Sequence, residues 1–344
     1  MGRFWVAWLV GAGATAIACG GPLERFQFTQ TEMAVPIKLV FYATDKNNAN
    51  GAAKAVFDSF HRLNQILSDY DRDSELSRLS QTAGTGKATA VSPELWTVLS
   101  HGQQVAQRSE GAFDVTVGPV VRLWRRAKRQ KELPPHELLE KARNSVGYRL
   151  LQLDPQRQTA KLLKPGMLLD LGGIAKGYAV DEGMEILRRH GITRAMINAG
   201  GDIGLGDPPP ERRGWTIGVG TLEPQGAPIQ MLCLSHCAVA TSGDMWQFVV
   251  IDGRRYSHIV DPRTGLALTH HRAVTVVGPT GISTDALATA VSVLDLQKGL
   301  KLIDETPGTA ALIRRQGAGE KPQTYQSWRW KDLPSVPVGV RAAR

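Results

Sequence analysis

The chain has 344 residues, of which 42% are hydrophobic, 41 are basic and 32 are acidic, for a net charge of +9. This length can bury a core in one large or two moderate domains, and the excess of positive charge favours anionic partners such as nucleotides, membrane surfaces or nucleic acid. The sequence has no repeat of fixed period and only three cysteines, which excludes a repeat architecture and a disulfide framework.

The first 19 residues have the pattern of an export signal. Arg3 precedes an apolar run over 4–17, which is shorter than a membrane-spanning helix. Small residues before Cys19 predict a bacterial lipoprotein site, although Ala16 stands where leucine is favoured. We therefore expect residues 1–19 to be a signal peptide and Cys19 to carry lipid, which makes the mature protein an exported, membrane-tethered lipoprotein. An uncleaved anchor is the alternative.

The next part of the chain predicts one strand and three helices. Residues 31–43 have strand composition, and apolar side chains recur at helical spacing over 52–70. A second helix is expected after Ser92, which suits the N-cap, with Pro93 in its first turn. The prolines of "LPPHELL", residues 133–139, mark a break and the start of a short helix.

The remainder alternates short strands and helices. The expected elements are, in order, short strands in 149–170 with a turn at Asp154-Pro155, a helix that ends near Gly191, a β-rich stretch over 194–278 with a hairpin turn at Asp252-Gly253, and a helix over 283–296. No long linker divides the chain, so we predict one α+β domain over 20–316, with mixed and antiparallel sheets flanked by helices. The basic tail, 317–344, is expected to pack loosely.

The stretch "LDLGGIAKGYAVDEG", residues 169–183, brings an acid, two glycines and a lysine to the start of a helix. Asp170 ends a short apolar strand, and Gly172 and Gly173 permit a tight turn. The free N–H groups of the helix and the charge of Lys176 would suit an anionic group such as a phosphate. The stretch lacks Walker and GxGxxG spacing, so a tight turn with an exposed lysine explains it equally well.

The stretch "STDALATAVSVL" has features of a partial metal site. Asp285 and Thr289 are four residues apart and therefore share one face near the start of a helix, which Ser283 or Thr284 can cap. A carboxylate and a hydroxyl are oxygen ligands that suit Mg²⁺, which usually completes its shell with waters or substrate phosphates. An acidic first turn followed by a buried threonine is the alternative.

Two further stretches contain candidate site residues. In "YSHIVDPRTG", His258 is a candidate acid–base group and Arg263 a candidate anion contact. In "GAFDVTVGP", Phe113 and Asp114 stand at the beginning of an expected strand, against which a planar aromatic ligand could lie. For both stretches, packing alone is the simpler explanation.

The basic run "RLWRRAKRQK", residues 122–131, is interpreted as a solvated surface face. No groove-reading or base-stacking motif surrounds it, so we expect no nucleic-acid partner.

Seven stretches, in this order, resemble one family, the ApbE-type FAD:protein FMN transferases: "DYDRDSELSRLS", "GAFDVTVGPVVRLW", "LDLGGIAKGYAVD", "MINAGGDIGLG", "ATSGD", "YSHIVDPRTG" and "STDALATA". With Met33, the resemblance covers roughly residues 33–294. Each stretch alone is a weak signal, whereas seven in order are specific. The lipoprotein-like signal is also similar to members of that family.

The resemblance implies a Mg²⁺-dependent enzyme that splits FAD. It would move FMN onto a Ser or Thr of an exported or membrane-bound redox protein, with AMP leaving. Catalytic roles are implied for His258, as candidate general base, and for Asp285. Mg²⁺ would be held by Asp285, Thr289 and the carbonyl of Gly173. The residues implied to lie along FAD are Met33, Tyr70, Ala112, Phe113, Asp114, Asp170, Lys176 and Ile259.

The sequence departs from the family pattern at three places. Ala34 and Val35 follow Met33 where the family often has Gly-Thr, and Met245 stands where a tyrosine is common. The basic run replaces an aromatic-glycine stretch after Trp124. These changes bear on access to the flavin and on the choice of acceptor protein.

Two other functions fit the same residues. A Mg²⁺-dependent FAD diphosphatase would use the same site but let water attack, giving free FMN and AMP. A non-catalytic flavin-binding lipoprotein would store or carry the flavin. The pair Asp285 and Thr289 argues against mere storage, which needs no metal shell.

Overall fold

The computed structural model describes residues 21–223, 226–245, 247–317 and 320–337. Over these residues the chain forms eight α-helices and four antiparallel sheets, which confirms the α+β prediction. None of the helices in the described ranges is long and apolar enough to cross a membrane. The expected signal peptide, with Cys19, lies outside the described residues.

The elements follow one another with short connections. The helices are α1 (Lys46–Leu67), α2 (Glu75–Gln81), α3 (Pro93–Arg108), α4 (Gly118–Gln130), α5 (His136–Arg143), α6 (Ala175–Arg189), α7 (Gly281–Val293) and α8 (Leu296–Asp304). The first strands are β1 (Glu24–Glu32), β2 (Val35–Ala43), β3 (Thr89–Ala90), β4 (Leu151–Asp154), β5 (Thr159–Leu162), β6 (Ala195–Ala199), β7 (Asp202–Leu205) and β8 (Trp215–Val219). The later strands are β9 (Gln230–Leu234), β10 (Cys237–Gly243), β11 (Phe248–Ile251), β12 (Arg254–Ser257), β13 (His271–Gly278), β14 (Ala310–Gln316), β15 (Gln323–Gln326) and β16 (Ser335–Val336).

A central sheet of eight strands, in the order β1-β2-β6-β7-β10-β13-β14-β15, separates two hydrophobic cores. Successive side chains of a strand point to opposite faces. Thus Leu39 and Phe41 of β2 pack with helices α1, α6 and α7 on one face, whereas Val40 packs on the other. That second core includes Trp215 of β8 and is covered by the three-stranded sheet β16-β9-β8. The result is a three-layer arrangement.

Several local predictions are confirmed. Ser92 is the N-cap of α3, where its Oγ accepts from the backbone N–H of Leu95 at 3.2 Å, and Pro93 is the first helical residue. Asp252 and Gly253 connect β11 to β12 with φ values of 49° and 73°. Positive φ at both turn residues is what a two-residue hairpin requires.

The single strand expected over 31–43 is wrong, because the chain reverses within it. Met33 and Ala34 form a two-residue turn between β1 and β2, with φ values of 50° and 61°. Glu32 pairs with Val35 on either side of it. The sequence gave little warning, since such turns usually contain Asn-Gly or Asp-Gly.

The expected loose packing beyond residue 316 is also wrong for the described part of the tail. β15 pairs with β14 at one edge of the central sheet, and β16 pairs with β9. Between them, a 3₁₀ turn over Trp328–Asp332 buries Trp330 to 1% exposure, and its indole N–H donates to Gln230 at 2.9 Å. This segment therefore helps to close the second core. Residues 338–344 lie outside the described ranges.

We predict that Ala34→Gly stabilises the protein. A residue with a Cβ in the left-handed region costs about 1–2 kcal/mol, part of which is offset by the larger unfolded-state entropy of glycine. Denaturant unfolding should show a gain of about 1 kcal/mol. Ala142→Gly in α5 is the control, and it should lose about 0.5–1 kcal/mol. A loss at position 34 as well would contradict the turn geometry.

Candidate active site

The site is built where the first turns of α6 and α7 touch. A Cβ on Gly177 would lie 2.1 Å from the carbonyl oxygen of Gly281, and a Cβ on Gly281 would lie 2.4 Å from that of Gly177, so this contact requires two glycines. Each helix then caps the other. Asp285 of α7 accepts from the N–H of Gly177 at 3.1 Å, and Asp181 of α6 accepts from those of Gly281 and Ile282 at 2.6 and 2.9 Å. The free N–H groups of both helices thus find partners.

The expected capping of α7 by Ser283 or Thr284 is wrong. The helix begins at Gly281, and the hydroxyl of Thr284 donates to the carbonyl of Gly281 at 3.1 Å inside the first turn. Asp181, which is a hundred residues away in sequence, takes the capping role instead. Its burial raises the pKa of this carboxyl to about 6.

Lys176 lies between two buried carboxylates. Its Nζ is 2.8 Å from Asp202 and 3.4 Å from Asp285. Burial, together with repulsion from Asp285, raises the pKa of Asp202 to about 7. An excess of negative charge of this kind would be relieved by a cation, so the cluster suits a cation better than the anion that the sequence pattern suggested for Lys176 alone. Sequence reasoning missed Asp202, although "GGD" at a strand start was part of the family resemblance.

The three predicted metal ligands lie together. A Cβ on Gly173 would be 2.9 Å from the hydroxyl oxygen of Thr289, so the glycine turn touches that side chain. Within the described ranges, neither this hydroxyl nor Oδ1 of Asp285 takes part in a hydrogen bond. These oxygens are the ligand type that Mg²⁺ prefers. The same ranges hold no group of three or more His, Cys, Asp or Glu side chains suited to a metal, so a cation here would need water or substrate oxygens as well.

A second cluster is centred on Arg125 of α4. Its guanidinium pairs with Asp69 and, at 2.7 Å, with Oδ2 of Asp170, and it lies 4.1 Å from the ring centre of Tyr70. Oδ1 of Asp170 accepts from the N–H of Gly172 at 2.8 Å, which connects this cluster to the glycine turn. Burial and the charge of Asp170 raise the pKa of Asp69 to about 6. The interpretation of the basic run as a solvated face is therefore wrong for Arg125.

Residues 112–114 form turns and no strand, which corrects the expectation for this segment. All three side chains are buried. The carboxylate of Asp114 accepts from the N–H and the hydroxyl of Thr116 at 2.8 and 2.7 Å, and burial raises its pKa. The N–H of Asp170 donates to the carbonyl of Val115 at 2.8 Å. This segment therefore supports the glycine turn from behind, and only its backbone is available to a ligand.

His258 follows β12 with its ring exposed to solvent. Its backbone N–H and its Nδ1 both lie 3.0 Å from the carbonyl oxygen of Gln247. Nδ1 therefore carries the proton, and Nε2 is left as an acceptor. The surrounding protein partly desolvates the ring and, with the charges of Lys176 and Lys128, lowers the pKa of His258 below its usual value. The neighbouring Ile259 is buried.

Met33 and Arg263 occupy different surroundings. The turn that contains Met33 lies beside the turn before Asp202, since a Cβ on Gly200 would be 3.0 Å from Val35. Met33 is thus at the same end of the sheet as the acidic cluster. Arg263 makes two 2.9 Å contacts to the carboxylate of Asp261, which fixes it in its own turn. The structure does not support the anion contact suggested for Arg263.

This combination of fold and site has counterparts among known proteins. The ApbE family model matches residues 32–313, and the chain belongs to this family. The FAD:protein FMN transferase of Haemophilus influenzae is 33% identical over 264 residues, which are 75% of this chain and 76% of that protein. The protein of the same name from Treponema pallidum is 31% identical over 316 residues, 86% of each chain.

Solved structures agree with this assignment. The flavin transferase ApbE from Vibrio cholerae superposes with a TM-score of 0.80 at 27% identity, covering 91% of this chain and 100% of the other. The apo form of the flavinyl transferase ApbE from Pseudomonas stutzeri gives a TM-score of 0.81 at 27% identity, covering 92% and 98%. The fold described above is thus that of the ApbE flavin transferases.

We predict that Gly177→Ala opens the contact between α6 and α7. Its Cβ would meet the backbone of Gly281, and overpacking of this kind costs about 1–3 kcal/mol. Gly51→Ala in α1 is the matched control, because a Cβ there meets nothing within 4 Å and should add about 0.5–1 kcal/mol. Thermal unfolding of both variants checks this, and equal melting temperatures would contradict the close approach.

Proposed function

We propose that the protein transfers FMN from FAD to a Ser or Thr hydroxyl of an acceptor protein and releases AMP, with Mg²⁺ bound in the site. It is an FAD:protein FMN transferase, the activity for which its relatives are named. The observation that carries the proposal is the meeting of Lys176 with the buried carboxylates of Asp202 and Asp285 beside the unbonded hydroxyl of Thr289.

The residues of the acidic cluster fit a magnesium ion. Asp285, Thr289 and the carbonyl of Gly173 would hold it, and all three supply oxygen. When bound, Mg²⁺ neutralises charge on the diphosphate of FAD. Lys176 holds the two carboxylates of the cluster together, and Asp285 also caps α6, so the carboxylate that would hold the cation is fixed in position by the fold.

The proton of the acceptor hydroxyl would pass to His258. With Nδ1 donating to Gln247, the lone pair of Nε2 is free to accept it. The hydroxyl oxygen then forms a bond to the phosphorus of FMN, and the bond from that phosphorus to the oxygen of AMP breaks. Because the pKa of His258 is lowered, the ring is neutral near pH 7 and ready to act as a base. General base catalysis of this kind is worth about 10² to 10⁴ in rate.

The remaining implied residues would contact FAD in two ways. Tyr70 is 74% exposed and rests on Arg125, so its free face can stack on a planar ring. Met33, Asp170 and Lys176 line the same region through their side chains. The buried positions would contribute backbone groups, and these are Ala112, Phe113, Asp114 and Ile259.

The acceptor is proposed to be an exported or membrane-bound redox protein. This part rests on the sequence of residues 1–19, which predicts export and a lipid on Cys19. The enzyme would then act on the extracytoplasmic side, tethered to the membrane. Fractionation of a Cys19→Ser variant tests the tether.

A FAD diphosphatase is the second candidate, and the solvent exposure of His258 favours it, since water could reach the same base. One experiment separates the two. The protein is incubated with FAD, Mg²⁺ and an acceptor domain that contains Ser and Thr, and the denatured acceptor is examined for flavin fluorescence and a mass increase. Free FMN and AMP with an unmodified acceptor would favour hydrolysis, and bound flavin without either product would indicate a carrier.

We predict that Asp285→Asn abolishes Mg²⁺ binding and lowers transfer at least about 10²-fold, because Mg²⁺ binds weakly without carboxylates. Asparagine can still accept from Gly177, so the cap is kept. Asp181→Asn is the control, since it also changes a capping carboxylate but lies outside the metal ligands. Calorimetric titration with Mg²⁺ should show binding to the control alone. Normal turnover of a folded Asp285→Asn variant at limiting Mg²⁺ would contradict the metal assignment.

We predict that His258→Ala lowers the transfer rate at saturating FAD by about 10² while FAD still binds. A base must be deprotonated, so the wild-type rate should hold as the pH falls from 8 and decline only below the usual histidine pKa of 6.5, because the pKa of His258 is lowered. The variant should lack this acid limb. A saturated rate within about threefold of the parent would rule out the base role.

A further inference from the structure

Helix α4 carries an unusual set of unpaired cations. It contains Arg122, Arg125, Arg126, Lys128 and Arg129 and no acidic residue. Exposed cations on other helices pair with a carboxylate one turn away, as on α1, α6 and α8. In the described part of the chain, Arg125 is the one cation of α4 within ion-pair distance of a carboxylate. The positive charge of the remaining four is therefore uncompensated at short range.

These cations are ordered around the helix. Trp124 and Ala127 are buried on one side. Arg122, Arg126 and Arg129 are exposed and follow at spacings of four and three residues, which places them on one outer face. We call these three residues the outer basic face of α4. Arg125 and Lys128 are three residues apart on the adjoining side.

That adjoining side faces the candidate active site. Arg125 reaches Asp170 beside the glycine turn, and the charge of Lys128 acts on the ring of His258. The indole N–H of Trp124 donates to the carbonyl of Gly265 at 2.8 Å, so α4 is fixed against the segment that carries His258. The outer basic face consequently borders the approach to the proposed base.

We propose that the outer basic face of α4 docks an acidic segment of the acceptor protein. The inference rests on the proposed function, which requires a protein hydroxyl to reach His258 from solvent. A partner that approaches this base passes close to three exposed arginines without carboxylate partners, and such a field favours acidic residues near the modified Ser or Thr. The departure from the family pattern after Trp124 would then set the choice of acceptor.

The test uses two variants of the full chain with the same change in net charge. The first is Arg122→Gln/Arg126→Gln/Arg129→Gln. The control is Arg188→Gln/Arg189→Gln/Lys301→Gln, on α6 and α8. The probes are two fluorescein-labelled 15-residue peptides with one Ser-Thr pair, flanked by four Asp in one and by four Asn in the other. Fluorescence anisotropy gives the Kd of each peptide at low and at physiological salt.

The wild type should bind the Asp peptide about tenfold more tightly than the Asn peptide at low salt, and the difference should shrink as salt screens the charges. The α4 variant should lose this preference, and the control should keep it within about twofold. Equal binding of both peptides by the wild type, or an unchanged preference in the α4 variant, would overturn the proposal.

Two further readings separate rival explanations. Sedimentation with phosphatidylglycerol vesicles that is lost in the α4 variant, with peptide preference unchanged, would assign the face to a membrane surface and overturn the proposal. Release of FMN from FAD to water should be equal in all three proteins, because none of the changed residues lies in the site. If the wild type does not split FAD at all, the proposed function fails, whereas the peptide preference still decides the docking surface.

Discussion

The reciprocal capping of α6 and α7 is the constraint on which the rest of the site depends. Two glycines let the helix starts touch, and a carboxylate from each helix then satisfies the N–H groups of the other. Because Asp285 is held by this junction, Lys176 and Thr289 come to it from either side. A binding site for charged groups is thus produced by the same contacts that dock two core helices.

The three-layer framework explains why the polar groups gather at one place. Both faces of the central sheet are buried, so charged residues are confined to turns and helix starts. The turn before β7 supplies Asp202, the hairpin before β2 brings Met33 to the same end, and the segment after β12 supplies His258. Each element is rigid, which suits a reaction that depends on positioning and charge more than on a protein nucleophile.

Much of this could be read from the sequence, and the exceptions have a common cause. Spacing alone placed Asp285 and Thr289 on one helix face, and local chemistry identified the Ser92 cap. What sequence reasoning missed were partnerships across long separations: Asp181 with α7, Asp202 with Lys176, and Arg125 with Asp69 and Asp170. The turn at Met33 escaped for another reason, since its residues contradict the propensity of the turn that they form.

The two oxygens of Asp285 face different tasks. Oδ2 accepts from the start of α6, whereas Oδ1 is free for the proposed cation. One carboxylate that serves both makes them thermodynamically linked, since whatever binds the folded junction stabilises it by mass action. Scarcity of the cation would then be felt first as local opening between α6 and α7. The concentration of a divalent ion outside the cell could in this way set the lifetime of the enzyme as well as its rate.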